Sequence, residues 1–345
     1  MQTKAPSIRS RKPALVHVDD TVPGIRRMKR GRGWCYWDAD GQRITDREEI
    51  ARLNRIALPP AYADAWFCPH PHGHIQATGI DAKGRKQYRY HGDFRTAREA
   101  EKFDGCAAFG RLLPKLRARV EADLRKPPLT RERCLATVVS LLDTGAIRVG
   151  NEAYARTNKS FGATTLRRRH ARLEGGTLTL KFRAKSGKMR EMRLGDRRLV
   201  RFVRRMQDLP GQHLFQYMDT DGAPCPVGSG DVNAWLRETT RAEVSAKHFR
   251  TWHASVLAFG MLARAQEKVR LKDLLSEVSE RLGNTPAIAR KSYIHPAVLA
   301  LVERQEEWRA QLKLPRPTRW LSSAERGLIA LLEEGPRAEE LLRAG

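Results

Sequence analysis

Apolar and polar residues change rhythm several times along this chain, and each change marks an element. From residue 33 to 91 the rhythm is short and strand-like. GWCYWDADGQRIT carries Asp40-Gly41 between two short runs, a hairpin signal, and HIQATGIDAKGRKQYRYH repeats it around Lys83-Gly84. From about Asp93 to Lys126 the spacing becomes helical, as in REAEKFDGCAAFGRLLPKLRARVEADLRK. A domain boundary is therefore expected near residues 92–100, giving a β-rich domain over 33–95 and a larger one over 96–345. Most of the second domain reads as helix. LTRERCLATVVSLLDTGAIRVG and VSAKHFRTWHASVLAFGMLARAQ are amphipathic runs, and LKDLLSEVSERLG puts Leu271, Leu274, Leu275, Val278 and Leu282 on one face before Gly283. The exception is TLTLKFRAKSGKMREMRL. There Leu178, Leu180 and Phe182 alternate with Thr179, Lys181 and Arg183 ahead of a Ser186-Gly187 turn, which predicts a hairpin inserted in a helical domain.

Two further signals concern the end of the chain. Thr285 is a suitable N-cap and Pro286 a suitable first helical residue. Tyr293 is then expected two turns into a short helix, with Arg290 one turn behind it and Pro296 opening the next helix. Ser322 to Glu325 is a capping box before GLIALLEE, so 300–345 reads as a helical extension. Residues 1–32 are polar, basic and aperiodic, and are expected to form a flexible arm. The fold class expected is α+β, a small antiparallel sheet domain followed by a larger, mainly helical one.

Charge narrows the function. The chain has 345 residues with 65 Lys and Arg against 39 Asp and Glu, a formal net charge of +26. That excess points to a polyanionic partner, most simply nucleic acid; an acidic protein or a membrane surface are the other candidates. No apolar run approaches the ~20 residues that span a bilayer, and the N-terminus lacks the apolar core of a secretory signal. The five cysteines, at 35, 68, 106, 134 and 225, are odd in number and form no Cys-x-x-Cys pair. That usage fits the reducing cytoplasm, where DNA or RNA is the accessible polyanion.

Several familiar chemistries lack their parts. CPHPHGH places His70, His72 and His74 at alternating positions, but Pro69 and Pro71 exclude a helix and no carboxylate pair is close. There is no HExxH, no P-loop and no acidic cluster suited to Mg²⁺. No metal or cofactor is expected. What remains are basic and aromatic pieces, each weak alone. In GRKQYRYH, read as a strand, Tyr88 and Tyr90 share one face and Gln87 and Arg89 the other; this suits phosphate contact or merely an exposed sheet face. In GAIRVGNEAYARTNKSFGATTLRRRH, Arg148 lies where a helix gives way to Gly150-Asn151, and its planar fork can meet two phosphate oxygens. In SAKHFRTWHASV, Arg250 follows Lys247 by three residues, so both point the same way on a helix. In GNTPAIARKSYIHP, Tyr293 sits among Arg290, Lys291 and His295.

Taken in order, HIQATGIDAKGRKQYRYH, IRVGNEAYARTNKSFGATTL, KFRAKSGK, AKHFRTWHAS and GNTPAIARKSYIHP resemble the type IB DNA topoisomerases of the compact poxvirus-like and bacterial branch. The collinear matches span roughly residues 33–297. The resemblance implies a two-part clamp around duplex DNA and a monomeric enzyme that relaxes supercoils without ATP or metal. It puts the family's nucleophile on Tyr293, its two transition-state arginines on Arg148 and Arg250, and its hairpin general acid on Lys185, with Lys188 as the rival. The position usually held by histidine falls on Asn284, a departure that leaves a hydrogen-bond donor but no positive charge. Arg85, Lys86, Tyr88 and Tyr90 are the expected DNA contacts in the small domain, with Tyr154 and Lys159 in the large one.

The implied reaction explains these residue types. Tyr293 would attack a DNA phosphodiester, leaving a 3′-phosphotyrosyl link and a free 5′-oxygen; the reverse step reseals the strand. A phenol with an ordinary pKa of about 10 is a poor nucleophile at neutral pH. Arginines would neutralise the charge on the nonbridging oxygens where other sites use metal ions. A lysine stays charged at neutral pH and would protonate the leaving alkoxide. A tyrosine recombinase shares this logic, but usually has histidine where Lys247 stands and a helical N-terminal domain. A noncatalytic DNA-binding protein would need the basic residues without the tyrosine.

Overall fold

The computed structural model describes residues 14–31 and 33–344. They divide into two compact units, one up to Glu99 and one from Ala100.

The first unit is built on a five-stranded antiparallel sheet. Its strands are β1 (Ile25–Arg30), β2 (Gly33–Trp37), β3 (Ala63–Phe67), β4 (Ile75–Ile80) and β5 (Lys86–Tyr90), in the order β2-β1-β3-β4-β5. Helix α1 (Arg47–Arg55) lies between β2 and β3 in sequence. Asp46 caps it by accepting from Glu48 N at 3.0 Å, with Glu48 and Glu49 in its first turn and Arg52 and Arg55 in its last, as the helix dipole favours. Ile25, Tyr36, Leu53, Phe67 and Ala77 close the core.

Two expectations are corrected here. Residues 1–13 of the expected arm lie outside the described residues, but Ile25–Arg30 form the strand between β2 and β3. Its apolar pattern is hidden because one inward position is an arginine. Arg27 stacks its guanidinium 4.3 Å from the Trp34 ring and donates to Leu58 O at 2.7 Å. The Asp40-Gly41 turn joins no second strand; it supports one bridge, Trp37 to Arg43, before the chain enters α1. Around Lys83-Gly84 the hairpin forms as expected, β4 against β5, with Gly84 at φ +71°.

The second unit is mainly helical. It begins within α2 (Gly92–Asp123) and continues through α3 (Arg131–Gly145) and α4 (Glu152–Asn158). The inserted sheet has three strands rather than two: β6 (Ala171–Glu174), β7 (Thr177–Arg183) and β8 (Met189–Leu194), in that order. Then come α5 (Arg197–Gln207), the short pair β9 (Gln216–Met218) and β10 (Pro224–Pro226), α6 (Ser229–Thr240), α7 (Ala246–Arg264) and α8 (Leu271–Leu282). The chain ends with α9 (Pro286–Ser292), α10 (Pro296–Ala300), α11 (Gln305–Gln311), α12 (Ser323–Glu334) and α13 (Ala338–Ala344).

Helix α7 is the axis of this unit. Trp252 is fully buried, and α2 packs so close that a Cβ on Gly110 would lie 2.3 Å from the Trp252 ring. α12 packs on α7 as well, with Gly327 against Phe259. A polar knot joins these helices. Arg117 pairs with Asp143 at 2.7 Å and with Glu325 at 2.7 Å, while Trp252 Nε1 donates to Glu325 at 3.3 Å. The C-terminal extension is thus keyed into the helical core, which the sequence pattern alone left open.

Candidate active site

Three helices end, and a fourth begins, around the candidate site. α3 closes at Ala146, in a left-handed conformation (φ +50°), and the extended chain after it presents Arg148. α8 closes at Gly283, φ +63°, and the next residue is Asn284. Thr285 then caps α9, accepting from Ile288 N at 3.4 Å. Tyr293, expected two turns into α9, closes it instead: the helix stops at Ser292, and Tyr293 is the capping residue at φ −133°. The helix ends there because Ile294 is buried and His295 caps α10, accepting from Ala297 N at 3.1 Å.

A cleft of about 510 Å³ opens over Tyr293, with Arg148, Tyr154, Lys185, Lys247 and Arg250 in its lining. Arg250 comes from α7 and is buried, its Cζ 4.9 Å from the Tyr293 ring centroid. Its Nη1 donates to Ala146 O at 2.6 Å and its Nη2 to Leu282 O at 3.0 Å. Arg148 Nη2 donates to Asn284 Oδ1 at 2.7 Å. Lys185 stands in the tight turn between β7 and β8, where Ser186 (φ +64°) and Gly187 (φ +76°) reverse the chain. Lys188 does not line this cleft; its Nζ donates to Asn284 O at 3.0 Å.

The electrostatics follow from the packing. Burial of Tyr293 works against its ionisation, but Arg250 above all, with Arg148 and Lys185, outweighs burial and holds the phenol below its ordinary value. Arg250 is pushed down to about 10, by burial first and then by Arg148. Arg148, Arg250 and Lys188 bond carbonyl or amide oxygens rather than carboxylates, so their charge is not neutralised by paired acids. Such a site attracts an anion with several oxygens and stabilises charge that grows on them. Among the described residues no group of His, Cys, Asp or Glu is placed to hold a metal ion.

The other expected residues are placed as follows. Asn284 is buried, and its Nδ2 has no partner; in this structure the amide serves Arg148 rather than facing the cleft. Tyr154 lines the cleft and Lys159, exposed at the end of α4, does not. Tyr88 and Tyr90 are exposed and stack at 5.8 Å on one face of β5, while Arg89 on the other donates to Ala57 O at 2.9 Å. Arg85 is paired with Asp81 at 2.6 Å and Lys86 with Asp20 at 2.8 Å, so both already have carboxylate partners. Three residues were not singled out from sequence. Ser255, five residues beyond Arg250, accepts from His295 N at 3.0 Å; its hydroxyl proton goes to Thr251 O at 2.9 Å, with Tyr293 O at 3.3 Å the longer alternative. Lys102 donates to Ser292 O at 2.9 Å. Arg190 lies inward on β8, where the alternation of half-buried positions is the one signal that could have found it.

Comparison with known proteins gives a consistent picture. Residues 91–313 match the family model for the eukaryotic DNA topoisomerase I catalytic core, and residues 33–81 the model for the bacterial DNA topoisomerase IB N-terminal domain. The chain is 30% identical over 314 residues to the DNA topoisomerase 1B of Acanthamoeba polyphaga mimivirus, covering 87% of this chain and 94% of that one. It is 27% identical over 215 residues to the DNA topoisomerase 1 of Mycosarcoma maydis, covering 55% of this chain and 21% of that protein. A solved XerH site-specific recombinase, bound to palindromic difH substrate in a post-cleavage complex, aligns with 66% of this chain and 59% of its own at 17% identity and a TM-score of 0.34, too loose a likeness to bear on the site.

Proposed function

This chain belongs to the type IB DNA topoisomerases, and from that premise we propose that Tyr293 is the nucleophile of a metal-free, ATP-free strand transfer. It is a DNA-acting isomerase. The observation that carries it is the convergence of Arg148, Arg250, Lys185 and Tyr293 on one cleft from four separate parts of the chain.

In the first step Tyr293 Oη attacks phosphorus and loses its proton to solvent. The bond to the 5′-oxygen breaks, and Lys185 supplies that oxygen with a proton. Arg148 and Arg250 neutralise the nonbridging oxygens as charge builds there. Two observations support Lys185 over Lys188 as the acid: Lys185 lines the cleft, and Lys188 is committed to the Asn284 carbonyl. Asn284 supports Arg148 through its Oδ1. Bond energy is kept in the phosphotyrosyl link, so reversal by the free 5′-hydroxyl reseals the strand without an energy source. Between the two steps the free end turns and supercoils are lost.

DNA grip is proposed for both units, through Tyr88 and Tyr90 in the first, aided by Arg85 and Lys86 once their carboxylates yield, and through Tyr154 and Lys159 in the second. A monomer working on the nucleoid in the cytoplasm completes the reading. The deciding experiment is relaxation of negatively and positively supercoiled plasmid in EDTA without ATP, wild type beside Tyr293→Phe. Wild type should relax both signs and the variant neither. A Tyr293→Phe protein that still relaxes DNA would remove the nucleophile from the proposal.

A further inference from the structure

Three arginines converge on one helix end. The last carbonyls of α3 have no partner within their own helix. Thr144 O accepts from Arg281 Nη2 at 2.6 Å, Gly145 O from Arg190 Nη2 at 2.9 Å, and Ala146 O from Arg250 Nη1 at 2.6 Å. Two of these arginines also reach the end of α8. Arg190 Nη2 donates to Arg281 O at 2.7 Å and Arg250 Nη2 to Leu282 O at 3.0 Å. The two helix ends are therefore stapled together by adjacent guanidinium groups. Just beyond the staples, Arg148 and Asn284 leave their helices and bond to each other at 2.7 Å.

The backbone is shaped around Arg190. Gly283 takes a conformation that favours glycine, and a Cβ there would lie 3.0 Å from Arg190 Nη1. A Cβ on Gly145 would lie 2.3 Å from Met192 Cε, on the next inward residue of β8. The negative ends of two helix dipoles hold this guanidinium in place of a carboxylate. Arg190 lines a second cleft, of about 940 Å³, that shares Arg148 and Arg250 with the first; it is not in the lining of the cleft over Tyr293. Its Nε is buried without a partner.

We propose that Arg190 is a positioning residue for strand cleavage, which sets the distance between the ends of α3 and α8 and so the meeting of Arg148 with Asn284. This rests on the reading of Tyr293 as nucleophile. Arg190 stands outside the lining of the cleft over Tyr293, and on this proposal it acts through Arg148. A misplacement of about 1 Å in a reacting group is enough to cost roughly 10² in rate.

The test is single-turnover cleavage of a duplex oligonucleotide at saturating DNA, with the DNA dissociation constant and thermal midpoint measured on the same proteins. Arg190→Ala should slow cleavage at least about tenfold while affinity stays within about twofold, and Arg190→Lys should recover part of the loss. A double-mutant cycle separates positioning from simple destabilisation. In an Asn284→Ala background, where the Arg148 contact is already gone, Arg190→Ala should cost less than about threefold further. Full additivity in that cycle overturns the proposal. So does a rate loss explained by a thermal midpoint that falls below the assay temperature in both Arg190 variants. If Arg190→Ala fails to fold, Arg190→Lys carries the same cycle. If Tyr293→Phe is inert while Arg190→Ala cleaves at close to the wild-type rate, this proposal alone falls. If Tyr293→Phe cleaves like the wild type, the nucleophile reading falls and takes this one with it.

Discussion

Removing the Arg250 guanidinium tests the electrostatics of the site most directly. Its Cζ lies 4.9 Å from the Tyr293 ring centroid. Opposite unit charges about 5 Å apart, at an effective dielectric of about 20, attract by roughly 3 kcal/mol. That is a little over two powers of ten in rate. Loss of one preorganised donor to a developing oxyanion costs about as much, roughly 10²–10³. The two figures do not add, because one cation serves both the phenolate and the phosphorane. Arg250→Ala should therefore slow single-turnover cleavage at saturating DNA by about 10²–10³. The pH profile should move with it. Arg250 is the chief influence holding the Tyr293 phenol down against burial, so its removal lets that pKa rise. Cleavage by the variant should then reach half its alkaline maximum at a higher pH than the wild type. Arg250→Lys is the control for the lost contacts to Ala146 and Leu282: it keeps the charge, loses the fork and should fall between the two. A variant slowed less than tenfold, or slowed with no movement of the pH profile, refutes the reasoning.

Other outcomes follow from the same geometry. Asn284→Ala leaves Arg148 without its 2.7 Å acceptor, and a hydrogen bond to a charged group contributes about 1.5–3 kcal/mol, so cleavage should fall roughly ten- to a hundredfold; an unchanged rate would make the amide idle. Arg117→Ala breaks pairs to both Asp143 and Glu325 and should lower stability by roughly 3–5 kcal/mol in denaturant titration. Burial raises the Asp143 carboxyl, but His253 and Arg117 outweigh it and bring it down to about 2; Glu325 is likewise held low, against burial, chiefly by Arg117. A carboxyl depressed in the folded state contributes fully above its unfolded pKa of about 4, and that contribution is lost as pH falls towards about 2. Wild-type stability should thus drop steeply between those values, and that of Arg117→Ala less so. If Lys159 meets a phosphate, Lys159→Gln should reduce the slope of log affinity against log salt by about one, and an unchanged slope removes it from the DNA contacts.

What the sequence made legible was governed by local rules. The β4–β5 hairpin, the cap at Thr285, the stop at Gly283 and the capping box at Ser322 each depend on a few neighbouring residues, and each appears in the structure. The α+β architecture followed from them. β1 was hidden because its inward Arg27 is satisfied by Trp34 and by carbonyls far away in sequence, so alternation failed to show. The end of α9 was misjudged for a similar reason: Ser255, on another helix, accepts from His295 N and lies 3.3 Å from Tyr293 O, and the chain turns at Ile294 between them. In the candidate site, Tyr293, Arg148, Arg250 and Lys185 were singled out by the resemblance of their motifs to the type IB topoisomerases, each motif being weak by itself. Pairings across long separations, such as Arg148 with Asn284 or Arg190 with two helix ends, have no local signature.

The contact between Ser255 and the Tyr293 backbone also bears on mechanics. Under the proposed reaction Tyr293 holds one end of a broken strand while the other end spins, and the torque of the unwinding duplex pulls on that tyrosine. Ser255 fastens the chain immediately around it to α7, and buried Ile294 and His295 anchor the next two residues. The load therefore passes from the strand into a deeply packed helix rather than into a loose loop. A nucleophile moored in this way can let its partner strand rotate many times and still present the same phosphorus to the returning hydroxyl.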